Sequence, residues 1–559
     1  MSIYNTLKYV AEDRRVRRYL MPEAVLEFGG NIENCDSLLI KKDLQIGLCE
    51  TDFTTLRNTD NGENPYVILD FGVELHGGIR ILNYTTSDTA YFGDTDPQVK
   101  ITFGESYAEA NSDIGVKGAC NDHSPRQFTV PAPALSDNEW GQTGFRFVKI
   151  ELVTPNTLIK LKNVLAVSIM RDYAYKGSFE CNDETINRIF DTAVYTTHLC
   201  LQNMVWDGIK RDRLVWIGDM MPECMTIRSV FGDVDIVEES LDFVCRQTPL
   251  PKWMNNFPSY SMWWIIILKD WYMSSGDSRF IESHKDYILG LLNQLCDCIK
   301  DDGEDTLGVY FFDHPTIPNP SRKTGVRALL RLALKDGAFL CEKLNASELS
   351  DLCLKKRDKI SPTKDFGGAK QIAAFLSLAD MMDRTEAYNV ITTDGDKGFS
   401  TFLSYFILKA IALAGKDEEA LSYMKGYYKN MLDKGATSFW EDYNTQWTEG
   451  SGNLYSAAPT GKKDIHGDYG ESCYRGFRHS YCHGWASGPV PFLMERVLGV
   501  NIIEPGCKTI KIEPHLSGLT WARGVYPTPY GNVVIEHKLN SNGEVISNVA
   551  APKQVKIML

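Results

Sequence analysis

The hydrophobic period of the chain changes twice, near Lys176 and again near Gly499, and this change constrains the fold more than any other feature. Between these points, long segments repeat their apolar residues at helical spacing, for example residues 184–204, 286–300 and 399–415. Short segments rich in β-branched and aromatic residues, separated by Gly, Asn and Asp, fill residues 25–172 and the stretch after Gly499. The pattern predicts a helical region between two β regions.

We therefore predict a multidomain α and β protein, because 559 residues are too many for one hydrophobic core. Residues 1–172 are expected to form an N-terminal antiparallel β-sandwich, residues 173–499 a helical domain, and residues 500–559 a small C-terminal β-sandwich domain. Roughly 320 helical residues without a fixed short repeat leave room for about a dozen helices, which favours an (α/α) barrel over a solenoid.

Composition excludes several classes of partner. A net charge of −14 repels phosphate backbones and anionic lipids, so we expect neither nucleic acid nor a membrane as partner. The first 20 residues lack the apolar segment of a signal peptide, and the 14 cysteines lack a disulfide framework, which favours a cytoplasmic location. CxxC and HExxH motifs are absent, so no metal or other cofactor is expected. The oligomeric state, including a homo-oligomer, stays open.

The densest group of polar and aromatic residues lies between residues 206 and 223. If a helix begins near Asp212, then Asp212, Trp216, Asp219 and Glu223 share one face. Apolar neighbours at positions 214, 215 and 217 suggest that this face lines a cavity. Clustered carboxylates beside an indole tend to have raised pKa values, which suits a general acid. The alternative is a solvated helix start, where the helix dipole favours an acidic residue.

Two later segments add candidates. Glu441 follows Trp440 in a segment that begins with a break at Gly435, so it is either a carboxylate over a pocket or an exposed loop acid. The segment 478–489 places two histidines, a tryptophan and two glycines close together, as in a polar pocket wall. Of its histidines, His483 is the better candidate for function and His479 the weaker.

These segments together resemble the α-L-rhamnosidases of glycoside hydrolase family 78. The family motif Asp-Cys-Pro-Gln-Arg-Glu-Arg-Leu-Gly-Trp-Thr-Gly-Asp aligns with residues 207–219 without a gap. Seven of the thirteen positions are identical, namely Asp207, Arg211, Arg213, Leu214, Trp216, Gly218 and Asp219. Residues 438–441 resemble the family's later Thr-Thr-aliphatic-Trp-Glu segment, and residues 504–506 its Glu-Pro-Gly.

The resemblance implies an inverting hydrolase on a central (α/α)6 barrel that releases terminal α-L-rhamnose from small glycosides or oligosaccharides. Asp212 would be the general acid and Glu441 the general base, and because two carboxyl groups supply both proton transfers, no metal is required. The residues expected to bind the sugar are Asp207, Arg211, Trp216, Asp219, Glu223, Trp440 and His483.

Two departures from the family pattern leave alternatives open. Asp212 stands where the family usually has Glu and is one methylene shorter, so Glu223 is an alternative acid. Gly208-Ile209-Lys210 replaces Cys-Pro-Gln beside the expected sugar site, which leaves room for an inverting glycosidase that acts on another deoxysugar or a uronide. The other alternative is a carbohydrate-binding protein that has lost the acid.

Overall fold

The computed structural model describes residues 12–59, 62–89, 96–361 and 366–559. Within these ranges the chain is a multidomain α and β protein with a helical core and mostly antiparallel sheets, as predicted. No helix in the described part of the chain is long and apolar enough to cross a membrane.

The N-terminal part forms one nine-stranded antiparallel sheet, in the order β3–β4–β9–β5–β8–β6–β7, with β1 paired to β9 and β2 to β5. The strands are β1 (Arg15–Leu20), β2 (Ala24–Gly29), β3 (Ile32–Glu33), β4 (Thr54–Asn58), β5 (Tyr66–Thr85), β6 (Gln98–Gly104), β7 (Gln127–Pro131), β8 (Ser136–Leu152) and β9 (Thr157–Arg171).

Strand β5 joins two segments that the sequence presents as separate strands, 66–72 and 78–84. Its first half pairs with β2 and β8, and its second half with β8 and β9. Gly77 permits this close pairing, because a Cβ atom there would lie 1.8 Å from the Val167 carbonyl oxygen. Phe145 packs against Phe71 and Phe103 in the buried core of this sheet.

Residues 184–492 are mainly helical. The α-helices, counted from a short one in the N-terminal part, are α1 (Tyr107–Ala110), α2 (Glu184–Cys200), α3 (Met220–Val230), α4 (Asp235–Gln247), α5 (Pro258–Ser275), α6 (Ser278–Ser283), α7 (Lys285–Asp297), α8 (Arg322–Lys343), α9 (Ser347–Lys359), α10 (Lys370–Leu378), α11 (Arg384–Thr392), α12 (Ser404–Leu413), α13 (Asp417–Asp433), α14 (Gln446–Glu449) and α15 (Pro489–Phe492).

Six of these helices contact one another in a closed ring, in the order α3, α5, α8, α10, α12 and α15, and α15 returns to α3. Helices α5 and α12 are apolar around most of their circumference because neighbours cover them on several sides. Helices α9, α11 and α13 pack against the ring and expose one face each.

The C-terminal part forms two small sheets. One has the order β10–β13–β14–β15 and the other β11–β12–β16, in which β12 and β16 are parallel. Their strands are β10 (Ser178–Cys181), β11 (Val500–Glu504), β12 (Thr509–Ile512), β13 (Trp521–Thr528), β14 (Gly531–Leu539), β15 (Val545–Ala550) and β16 (Lys556–Met558).

Strand β10 comes from before the helical region, although the expected boundary at residue 172 assigns it to the helical domain. Its alternating pattern buries Phe179 and Cys181 and exposes Ser178 and Glu180, and pairing with β13 completes the sheet. Four residues carry too short a pattern to reveal a strand whose partner lies over 340 residues away. The boundaries near residues 172 and 499 remain predictions.

Candidate active site

The segment that carries the 207–219 motif is an irregular loop, and α3 begins only at Met220. The prediction of a helix from Asp212 is therefore wrong. Asp212 and Arg213 both adopt left-handed backbone angles, with φ of 51° and 56°, which a right-handed helix cannot contain. The loop is closed between Asp207 and Leu214, whose amides each donate to the other residue, at 3.1 and 2.8 Å.

Asp212 still meets the residue that the helical spacing placed beside it. The Trp216 indole Nε1 donates to Asp212 Oδ2 at 3.2 Å, and an Arg211 terminal nitrogen contacts Asp212 Oδ1 at 3.1 Å. His123, from the N-terminal sheet domain, lies 3.7 Å from the same oxygen. The Asp212 side chain is 17% exposed, so it lies at the rim of the site.

Glu441 lies deeper, on the loop after α13, and it is buried. Its Oε2 accepts hydrogen bonds from Arg211 at 2.5 Å and from the Ser480 amide at 3.3 Å. Burial alone would raise the pKa of Glu441, but Arg211 and the nearby histidines outweigh it and lower the pKa to about 2. Glu441 is therefore an ionised carboxylate over the physiological pH range.

One guanidinium connects the two carboxylates, because Arg211 contacts both Asp212 and Glu441. The contacting oxygens of these residues are therefore separated by at most about 8 Å, the span of a planar guanidinium and its two contacts. The Arg211 Cζ lies 3.4 Å from the ring centre of Tyr474, which fixes the plane of the guanidinium from one side.

Three carboxylates surround the His483 ring. His483 Nε2 lies 3.7 Å from Asp207, 3.9 Å from Asp219 and 4.0 Å from Glu441. Burial lowers the pKa of His483 to about 3, so the imidazole is neutral at pH 7. The pKa values of Asp207 and Asp219 are raised, first by burial and also by neighbouring carboxylates. Such a group offers both hydrogen-bond donors and acceptors to a polar ligand.

Glu223 is the alternative acid, and it lies in the interior. Neither of its carboxyl oxygens has a hydrogen-bond partner in the described part of the chain, and the residue has no exposed surface. Burial raises its pKa well above the ordinary value, which favours the protonated form. Asp212, by contrast, lies at the rim with its side chain 17% exposed.

Two protein-family models match segments of this sequence. The six-hairpin glycosidase domain of bacterial α-L-rhamnosidases matches residues 174–320, and the C-terminal domain of bacterial α-L-rhamnosidases matches residues 499–559. The chain resembles the α-L-rhamnosidases. A search of curated proteins found no significant match.

Solved α-L-rhamnosidase structures share the fold. The family 78 rhamnosidase of Bacillus sp. GL1 superposes with a TM-score of 0.74 at 21% identity, over 91% of this chain and 54% of that one. The Klebsiella oxytoca rhamnosidase with rhamnose bound superposes with a TM-score of 0.66 at 18% identity, over 86% of this chain and 96% of that one. The Streptomyces avermitilis α-L-rhamnosidase complexed with L-rhamnose superposes with a TM-score of 0.67 at 14% identity, over 88% of this chain and 48% of that one. The chain thus spans about half the length of the Bacillus enzyme.

The two tryptophans expected to contact sugar differ in position. Trp216 is partly exposed and packs edge-on against Tyr260, with ring centres 5.9 Å apart. Trp440 has no exposed surface and stacks on Tyr481 at 4.2 Å. The structure therefore places Trp440 in the packed interior behind Glu441, which does not fit the expected contact with sugar. His479 accepts a hydrogen bond from the Asp442 amide at 2.9 Å and so supports the same loop.

The expectation that Gly208-Ile209-Lys210 borders the sugar site is wrong for two of these residues. Ile209 packs into a buried apolar cluster with Leu199 and Cys482. Lys210 has no exposed surface, and its ammonium points to acidic residues of the N-terminal part. The burial of Lys210 could not be predicted from the sequence, because a lysine beside Arg and Asp residues is usually exposed to solvent.

Four further residues shape the site without any signal in the sequence. Tyr260 donates to Asp219 at 3.0 Å, and the Asn255 side chain holds the loop through the amide of Ile217 and the carbonyl of Val215, both at 3.1 Å. Tyr474 and His123 contact Arg211 and Asp212 as described above. They come from three segments far apart in the chain, near residues 123, 255–260 and 474, so local spacing could not bring them together.

Proposed function

We propose that this chain is an inverting exo-glycosidase that releases terminal α-L-rhamnose from small glycosides or oligosaccharides. One observation carries the proposal: Arg211 holds Asp212 at the rim and an ionised Glu441 in the interior. An inverting glycosidase needs two carboxyl groups roughly 6.5–9.5 Å apart, with a water beside one and the leaving group beside the other. The upper limit set by one guanidinium agrees with such a pair.

In the proposed reaction, a water molecule attacks the anomeric carbon from the side opposite the glycosidic bond. Glu441 takes a proton from this water, and Asp212 gives a proton to the glycosidic oxygen as its bond to the anomeric carbon breaks. The product is free β-L-rhamnose and an alcohol, and one exchange of protons with solvent restores both carboxyl groups. Asp207, Asp219 and His483 would hold the sugar hydroxyls, with Trp216 as the apolar wall.

Rhamnose is the proposed sugar for two reasons. The motif at residues 207–219 resembles that of α-L-rhamnosidases, and the two neighbours with bound rhamnose share the fold. We further propose that the six-helix ring is an (α/α)6 barrel, flanked by an N-terminal β-sandwich and a C-terminal β-sandwich domain. If the protein is cytoplasmic, its substrates are small imported glycosides, because polymers would not reach it.

The test is hydrolysis of p-nitrophenyl α-L-rhamnopyranoside beside a panel of other p-nitrophenyl glycosides. We expect turnover of the rhamnoside alone, and a Glu441→Gln variant that still binds rhamnose in calorimetry but has lost turnover. Turnover of another glycoside would support the proposed mechanism but contradict rhamnose as the substrate sugar. Rhamnose binding without turnover of any glycoside would favour the carbohydrate-binding alternative, which the short Asp212 side chain keeps open.

A further inference from the structure

A buried cluster of charged residues lies between the N-terminal sheet domain and the active-site loop. At its centre is Lys210, whose ammonium contacts Glu105 at 3.2 Å and Glu109 at 2.8 Å. All three side chains are at most 2% exposed. Arg126, also buried, donates to the Lys210 carbonyl oxygen at 3.2 Å. The cluster therefore joins Glu109 of α1 and Glu105, just before α1, to Lys210, which directly precedes Arg211.

The same cluster holds the segment 477–481, which carries the support for Glu441. The Lys210 ammonium donates to the carbonyl oxygens of Phe477 at 2.7 Å and His479 at 3.0 Å. Glu105 accepts from the Tyr481 amide at 2.7 Å. The residue between them, Ser480, donates its amide to the Glu441 carboxylate. A shift of this segment would therefore move a hydrogen-bond donor of the general base.

A second contact of the N-terminal domain holds the start of the Glu441 loop. Arg146 forms two hydrogen bonds of 2.7 Å with Asp70 and donates to the Gly435 carbonyl oxygen at 3.0 Å. The amide of Glu74 donates to the Thr437 hydroxyl at 2.8 Å. The N-terminal sheet domain thus contacts the chain on both sides of Glu441, before it at 435–437 and after it in the supporting segment.

We propose that Lys210 is a positioning residue that places Glu441 against Arg211 by tying the segment 477–481 to the N-terminal domain. This inference rests on the proposed function for its effect on turnover. Lys210 is one of the positions at which this chain departs from the family motif, which has Gln there. A glutamine could still donate hydrogen bonds, but it has no charge to balance Glu105 and Glu109.

The cluster requires a cation at this position. Glu105, Glu109 and His466 offer atoms that all lie within 4.8 Å of one another, which is close enough to bind a positive ion. His466 cannot supply the charge, because burial lowers its pKa well below the ordinary value. Removing the ammonium leaves two buried carboxyl groups with Arg126 alone nearby, so the segment it anchors must rearrange or the carboxyl groups must bind protons.

The experiment compares Lys210→Met with Lys409→Met. Lys409 is the matched control, because it is also paired with a glutamate, Glu495 at 2.9 Å, and lies outside the candidate site. The two readouts are kinetics on p-nitrophenyl α-L-rhamnopyranoside and hydrogen–deuterium exchange of residues 477–483. We expect Lys210→Met to lower kcat about 100-fold with little change in KM, as for a displaced catalytic group. Exchange in 477–483 should rise in this variant and not in Lys409→Met.

A double variant, Lys210→Met with Glu109→Gln, keeps the proposal testable if the single variant is unstable. It removes one uncompensated carboxylate, so thermal stability should recover while kcat stays low. Recovery of kcat together with stability would reduce Lys210 to a purely structural residue and overturn the proposal. Unchanged exchange in 477–483 would also overturn it, even if the wild-type protein proved inactive on rhamnosides, and that inactivity would count against the proposed function alone.

Discussion

At the scale of single residues, the account depends on the different surroundings of Asp212 and Glu441. Glu441 is buried and ion-paired, which keeps it ionised as a base. Asp212 is at the rim, within reach of a leaving group that extends to solvent. The 207–219 motif contains Asp212 and the later segment 438–441 contains Glu441, and the family resemblance implies a role for each. Their depth could not be predicted, because it depends on Tyr474, Ser480 and other residues from distant segments.

Removing Arg211 should shift the pH dependence of activity. Arg211 lowers the pKa of Glu441 to about 2, while burial acts in the opposite direction. In Arg211→Met the guanidinium charge is lost, burial remains, and the neighbouring histidines are neutral near pH 7, so Glu441 binds a proton at higher pH. We expect the acid limb of the kcat/KM profile to move to higher pH. Arg478→Met is the control, because Arg478 contacts Tyr474 and Asp122; an equal shift there would contradict the assignment.

Substrates whose leaving groups differ in basicity distinguish Asp212 from Glu223 as the general acid. Asp212→Asn should lose roughly 10²–10⁴-fold in kcat on an alkyl rhamnoside and much less on the p-nitrophenyl rhamnoside, whose leaving group needs little protonation. Glu223→Gln should not distinguish the two substrates. If the dependence on leaving group appears in Glu223→Gln instead, Glu223 is the acid.

His76 gives a pH-dependent term in stability. It is buried beside Trp206, and burial lowers its pKa to about 3. Between pH 6.5 and 3 only the unfolded state binds this proton, so stability falls as pH falls. Relative to His76→Phe, the wild type should lose about 1.4 kcal/mol per pH unit, measured by urea unfolding at pH 7 and 5. A difference between the two proteins that does not change with pH would show that folding leaves the pKa of His76 unshifted, and would contradict this prediction.

At the scale of elements, period and composition predicted the strands and long helices well. The segments 184–204 and 399–415 contain α2 and α12, the segment 286–300 overlaps α7, and the stretch after Gly499 forms β11 to β16. The error at Asp212 has a physical cause. Apolar spacing cannot show that two consecutive residues have left-handed backbone angles, because contacts such as Asn255 with the loop impose that conformation.

Packing between α3 and the turn at residues 484–487 should not tolerate a methyl group. A Cβ atom on Gly484 would lie 1.6 Å from Glu223 Oε1. Gly484→Ala should therefore destabilise the protein by about 1–3 kcal/mol in urea unfolding, and by clearly less in a Glu223→Ala background. Gly426→Ala is the control, because it lies inside α13 with open space around it and should stabilise by about 0.5–1 kcal/mol. Additive effects of the first pair would refute the contact.

At the scale of the whole molecule, the change in hydrophobic period predicted the order of strand-rich, helical and strand-rich regions, but it did not predict the contacts between them. The sequence indicated an N-terminal sheet domain beside a separate catalytic domain. The structure shows His123 beside Asp212, Glu105 beside Tyr481 and Arg146 beside Gly435. Each pair joins residues that are at least 89 positions apart, so no local pattern announced it. The N-terminal domain is therefore part of the frame that holds the candidate active site.

The stereochemical course of hydrolysis tests the proposed roles of Asp212 as general acid and Glu441 as general base, because it depends on both residues together. The measurement is proton NMR of the first rhamnose released from p-nitrophenyl α-L-rhamnopyranoside, recorded before the anomers equilibrate. An inverting pair with Glu441 as base predicts β-L-rhamnose as the first product. Release of α-L-rhamnose first would mean a retaining mechanism and contradict the roles assigned to these two carboxylates.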